Sequence, residues 1–206
     1  MEKIEKTGKL ERIVTGQGAA AKRPRGTLAL SLTALFAALI AAGTFISIPL
    51  PFTPVPVVLQ NLFSLLAGLV LGPALGAAAV GLYLIAGIIG APVFAGAAGG
   101  ISRFLGPTGG FLLGYLLSAF LGGLIAGRPR SGVPLPLWRL VLAVLAGFLV
   151  IYVPGIIRLK FALDSGWGKA LAAGFTPFII GDALKGVLAV LIAPRLRAPL
   201  AGRLGS

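Results

Sequence analysis

The chain of 206 residues has no cysteine, no histidine and only five acidic residues. Without cysteine it has no disulfide framework and no thiolate nucleophile, and without histidine it has neither imidazole metal sites nor His-dependent catalytic triads. Charged residues make up 11% of the sequence, against the roughly 25% that covers an ordinary soluble domain. With 57% hydrophobic residues and a mean hydropathy of +1.02, too little polar surface remains to face water. These shortages point to an integral membrane protein.

What charge there is has one dominant sign. Eighteen basic residues give a net charge of +13, but they gather at the ends of apolar runs without interleaved aromatics. That pattern sets membrane orientation and does not build a nucleic-acid groove, so no nucleic-acid partner is expected. Residues 1–26 carry Lys3, Lys6, Lys9, Arg12, Lys22, Arg23 and Arg25, a polar arm expected to stay in water and fray. Its basic start resembles a signal peptide. The apolar run from Thr27 to Ile48 is longer than a signal core and is followed by further spans, which predicts a retained first helix.

Pro49, Pro51, Pro54 and Pro56 then end the helix and predict an extended loop, because proline lacks the amide hydrogen and disfavours helix in the residue before it. Further spans are expected over Val57 to Leu71, Ala74 to Gly90, Thr108 to Ala126, Leu137 to Ile157 and Phe175 to Ile192. Residues 92–107 are apolar but rich in glycine and read as a segment that folds back as a lid. The fold class is thus an all-α membrane protein with six transmembrane helices, a substrate-binding domain over 27–197 and a short tail over 198–206. Arg128, Arg130, Arg139, Arg195, Arg197 and Arg203 join the arm on one side; only Arg103, Arg158, Lys160 and Lys169 fall on the other. Both termini are therefore expected in the cytoplasm.

Gly106, Gly110, Gly114, Ser118 and Gly122 recur every four residues, a smooth ridge that favours close helix packing within the bundle. Ala34 and Ala38 make a similar step in the first span. Within the last span, Asp182 and Lys185 lie three apart and share a helix face. Each costs about 2.5–3.5 kcal/mol near a bilayer centre, so a polar cavity is implied, unless the pair only fixes helix register. Gln60, Asn61, Arg103 and Tyr152 are the remaining polar candidates near that end of the bundle, with Tyr83 nearer midmembrane. Taken singly, each has a plain explanation as an anchor, a helix-end partner or a solvated cation.

Five ordered stretches then suggest a family: IPLPFTPVPVVLQN at 48–61, LAGLVLGP at 66–73, GAPVFAG at 90–96, GPTGGFLLGY at 106–115 and GDALK at 181–185. In these the chain resembles the biotin-specific substrate-binding subunits, or S components, of energy-coupling-factor vitamin transporters. The resemblance covers residues 27–197. It implies six helices in the cytoplasmic membrane, one biotin held near the outer face by Asp182 and Lys185, and docking of Ala34 and Ala38 on a transmembrane coupling subunit. Two ATP-binding-cassette ATPases would supply the energy, since no G-x-x-x-x-G-K-[ST] phosphate loop occurs in this chain.

Biotin's chemistry suits the polar set. Asp182 would accept from a ureido N–H, Lys185 would orient it or donate to the ureido carbonyl, and Gln60 or Asn61 would complete the set. Phe52, Phe94 and Tyr152 would pack the apolar parts, and Arg103 would take the carboxylate. No cofactor, metal or enzymatic activity is expected. The alternatives are an S component for thiamine or riboflavin, and a membrane enzyme using Asp182 and Lys185; the enzyme lacks a second carboxylate, nucleophile or metal set.

Overall fold

The computed structural model describes residues 25–204, so the expected polar arm over 1–26 falls almost wholly outside the described residues. Helix α1 (Arg25–Ala42) leads into a hairpin of strands β1 (Ser47–Leu50) and β2 (Thr53–Val58). Helices α2 (Gln60–Leu71) and α3 (Pro73–Ile88) follow, then the short α4 (Ile101–Phe104). Helices α5 (Gly109–Ala126) and α6 (Leu137–Ala162) form the middle of the bundle. The chain closes with α7 (Trp167–Gly174), a 3-10 turn (Thr176–Phe178) and α8 (Ile179–Leu204).

Local chemistry explains the boundaries. Gly72, at φ 85°, ends α2 and Pro73 opens α3 in the next position, since a left-handed residue stops one helix and proline suits the first turn of the next. The proline-rich stretch, expected as an extended loop, pairs with itself: Ser47 lies opposite Val58, Ile48 opposite Val57 and Leu50 opposite Thr53. In a sheet of two strands each strand has an open edge, so the missing proline N–H groups are tolerated. Val57 and Val58 are held in that pairing, and the helix expected from Val57 therefore starts at Gln60.

The last helix departs further from expectation. It passes through Pro194 and Pro199 to Leu204 instead of stopping before Pro194. Pro194 leaves the Val190 carbonyl without its helical N–H donor, a loss that apolar helices tolerate through local adjustment and neighbouring groups; one residue on, Arg195 Nη1 donates to the Leu191 carbonyl at 2.6 Å. Helix α7 was not foreseen, because its eight residues are too short to carry a periodic signal.

Helix α5 lies at the centre, packed against α2, α3 and α6. The small-residue ridge makes this possible. A Cβ at Gly110 would collide with the Pro154 carbonyl, one at Gly114 would sit 2.7 Å from the Ile151 carbonyl oxygen, and one at Gly68 would enter the Ala119 backbone. The ridge is thus used inside the molecule, where close backbone approach replaces the solvent-driven force that lipid does not supply. The helices α5 and α6 and the stretch Trp167–Arg203 are long and apolar enough to cross a membrane; α1, α2 and α3 are apolar but shorter.

At the end of the bundle away from the hairpin, the buried Arg197 ties three helices together. Its guanidinium donates to the carbonyls of Leu69, Ala126 (3.3 Å) and Gly127 (3.0 Å). These are the carbonyl-rich ends of α2 and α5, where a cation is favoured. Substituting Gly110 by alanine should lower stability by about 1–3 kcal/mol through overpacking. Gly181→Ala, where nothing lies within 4 Å of the added carbon, should not lower it and should gain up to about 1 kcal/mol from helix propensity. Thermal unfolding of the detergent-solubilised protein measures both.

Candidate functional site

The first two turns of α8 place Asp182 and Lys185 on its inward face, and both are buried. Asp182 Oδ1 accepts from Lys185 Nζ at 2.8 Å and from Asn61 Nδ2 at 2.9 Å. Its other oxygen, Oδ2, accepts from the Tyr152 hydroxyl at 2.5 Å. Asn61 Oδ1 accepts in turn from Lys185 Nζ at 3.1 Å and from the Leu62 N–H at 3.0 Å. Three helices, α2, α6 and α8, thus meet at one carboxylate.

The pairing makes burial tolerable. An isolated ion here would pay a desolvation cost of several kcal/mol, whereas a net-neutral pair with its lone pairs occupied does not leave a bare charge. Asp182 also lies at the start of α8, where the helix dipole favours an anion. The ammonium, with three hydrogens, uses two on Asp182 and Asn61.

Beside the cluster is a cavity of about 30 Å³, bounded by Asn61, Tyr115, Tyr152, Phe178, Asp182 and Lys185 among others. It is large enough for a water-sized or single polar group. Val55, Pro56, Val58, Phe111 and Tyr115 line both this cavity and a second one of about 420 Å³ beneath the hairpin. That volume falls in the range of roughly 300–1,000 Å³ typical of small-molecule sites. Arg103 and Thr108 stand on its wall, with the glycine-rich loop of Phe94, Ala95, Gly96 and Ala97 opposite the hairpin residues in its lining.

The residues singled out from sequence fall into four places. Asp182, Lys185, Asn61 and Tyr152 form the buried cluster; Gln60, Phe94 and Arg103 line the larger cavity. Phe52 sits at the hairpin tip, 66% exposed, and lines neither cavity. Ala34 and Ala38 lie on the exposed side of α1. Tyr115 and Phe111, which line both cavities, were missed, although both belong to the motif at 106–115. A larger groove, about 570 Å³, opens between α6 and α8, but its lining is apolar apart from Tyr152 and Asp182. It offers no set of polar groups to orient a ligand.

A bundle of apolar helices with a polar-floored cavity at one end defines a multi-pass membrane protein that binds a small molecule. The sequence matches the BioY family over residues 16–202. It is 44% identical over 168 residues to a probable biotin transporter BioY of Pyrococcus horikoshii, covering 82% of this chain and 95% of that one. The biotin transporter BioY of Thermotoga maritima is also 44% identical, over 163 residues that cover 79% and 92% of the two chains. The fold superposes with a TM-score of 0.74 on a crystal structure of the S component for biotin from an ECF-type ABC transporter. That protein is 32% identical, and the match covers 84% of this chain and 92% of the other. The chain belongs to the BioY family.

If the pair is mutually compensating, Asp182→Asn alone or Lys185→Met alone should cost about 3–5 kcal/mol, because each strands its partner. The double substitution should cost clearly less than their sum. Melting temperatures of the three variants against the parent decide it, and strict additivity would show that the two charges are not coupled.

Proposed function

We propose that this chain captures biotin at the hairpin end of the bundle and is the substrate-binding subunit of an energy-coupling-factor transporter. The observation that carries the reading is the cluster of Asp182, Lys185, Asn61 and Tyr152 lying just below a ligand-sized cavity in a chain of this family. Biotin offers a ureido group with two N–H donors and one carbonyl. Asp182 supplies the acceptor, and Lys185 supplies a donor through its third ammonium hydrogen. The fused ring lies against Phe111 and Tyr115, which take the part expected of Phe52, and Phe94 closes the other side. Arg103 and Thr108, in the wall of the larger cavity, meet the carboxylate.

Such a protein binds and delivers its substrate unchanged. In this proposal it crosses the cytoplasmic membrane six times, with the hairpin end outside and both termini inside, since the arginines gather at the opposite end. The short helices α2 and α3 are accommodated by burial against α5. The exposed step at Ala34 and Ala38 on α1 docks on the transmembrane coupling subunit, and two ATP-binding-cassette ATPases drive the cycle.

Equilibrium binding of labelled biotin to the purified chain tests this. The parent should bind biotin in preference to thiamine and riboflavin, and Asp182→Asn and Lys185→Ala should each weaken binding at least tenfold. Arg103→Ala should weaken biotin more than a biotin amide that lacks the charge. Parent-like affinity in both cluster variants would remove Asp182 and Lys185 from the site.

A further inference from the structure

Gln60 stands next to the charge cluster in sequence but joins a different network. Its side chain is 1% exposed, and its amide nitrogen reaches three acceptors: the Thr44 hydroxyl, the Tyr83 hydroxyl at 2.9 Å and the Val93 carbonyl at 2.9 Å. Thr44, also 1% exposed, donates its own hydroxyl hydrogen to the same Val93 carbonyl at 2.5 Å. Two buried side chains therefore converge on one backbone oxygen. Thr44 lies just beyond α1 and Gln60 opens α2.

Val93 is the last residue before the cavity wall. Phe94 and Ala98 exchange backbone hydrogen bonds at 2.8 and 3.1 Å, closing a tight loop in which Gly96 and Ala97 take positive φ angles of 77° and 54°. Phe94, Ala95, Gly96 and Ala97 of this loop line the 420 Å³ cavity. At its far end the loop is held by the Gly100 N–H on the Gly87 carbonyl at 2.7 Å. The Phe94 ring stands edge-on to Tyr83, 5.7 Å between centroids, and packs on Gly87 where a Cβ would not fit. Among the described residues, the Val93 carbonyl is the attachment of this loop that receives hydrogen bonds from buried side chains.

We infer that Gln60 and Thr44 are positioning residues that latch the Phe94–Ala98 loop over the cavity and so set how long a ligand stays. Gln60 acts through Val93 and not by spending its amide nitrogen on the ligand. The kinetic consequence rests on the biotin reading above; the latch itself does not. Loosening it leaves the polar cluster intact, since Asp182, Lys185, Asn61 and Tyr152 share no hydrogen bond with Gln60 or Thr44. The signature is thus a faster release with an almost unchanged capture rate.

The test uses the full chain in detergent: release is measured on unlabelled protein, and mobility separately on protein carrying one nitroxide at Ala97→Cys, which the absence of native cysteine allows. Thr44→Val keeps the shape but removes the donor, Thr44→Ser restores the hydroxyl, and Gln60→Ala removes the amide. Thr44→Val and Gln60→Ala should each raise the biotin dissociation rate at least tenfold, with association within about threefold of the parent, and should sharpen the nitroxide spectrum without ligand. Thr44→Ser should return both readouts to parent values. Parent-like release and label mobility in folded Thr44→Val would overturn the latch, whatever Gln60→Ala does. If the parent binds no biotin, the ligand reading fails, and label mobility alone then decides the latch.

Discussion

The buried pair of Asp182 and Lys185 is the constraint around which the bundle is arranged. Two charges within one turn of an apolar helix are tolerated only if neighbouring elements bring them hydrogen-bonding partners, and two helices do. Helix α2 brings the Asn61 amide, and α6 brings the Tyr152 hydroxyl. Because Asp182 accepts from three donors on three helices, it fixes the rotation of α8 and its height against α2 and α6 together. Hydrophobic side chains in lipid cannot do this, since a leucine is nearly as well placed against an acyl chain as against another helix.

The other end of α8 is fixed by the same means with different groups. Arg197 lies fifteen residues beyond Asp182, about 22 Å along a helix that rises 1.5 Å per residue. It anchors on helix-end carbonyls, not on a carboxylate. Between these two polar clamps, Ala189 and Ala193 let α8 lie close in the bundle, and the side toward α6 stays open as an apolar groove. Helix α8 is therefore held by its ends, with its middle packed only on one side. The small residues of α5 serve the complementary purpose: Gly110 and Gly114 seat that helix on the backbone of α6, which keeps Tyr152 at a set distance from the bundle axis.

Much of this was legible in the sequence because it rests on spacing. A separation of three put Asp182 and Lys185 on one face, and a period of four exposed the ridge that packs α5. The proline and glycine positions bounded α2, α3 and α5 to within about three residues. What spacing does not report is which side chain a neighbour will occupy. Phe52 and Phe94 look equivalent as apolar residues near the mouth, but Phe52 falls at the hairpin tip and Phe94 turns into the core. Pro194 read as a stop because proline removes a helical donor, and nothing local in the sequence shows that the residues beyond it continue as helix. Tyr115 escaped notice for a similar reason: it closes a glycine-rich motif that reads as packing, and only the arrangement of α5 between two cavities gives it a share in both.

Gln60 and Asn61 show the limit of spacing most directly. Both are amides in the first turn of α2, and both were natural ligand candidates. Successive residues on a helix point about 100° apart at 3.6 residues per turn, so one turns toward Thr44, Tyr83 and Val93 while the other turns toward Asp182 and Lys185. The first turn of α2 thus separates two tasks at a single step of the backbone, loop attachment and charge compensation. The hairpin before it makes this sharp division necessary. Pairing of Val57 and Val58 with β1 fixes where the helix begins, and a start shifted by one residue would bring Leu59 or Leu62 against one of the two networks and leave its donors and acceptors unmet in an apolar core.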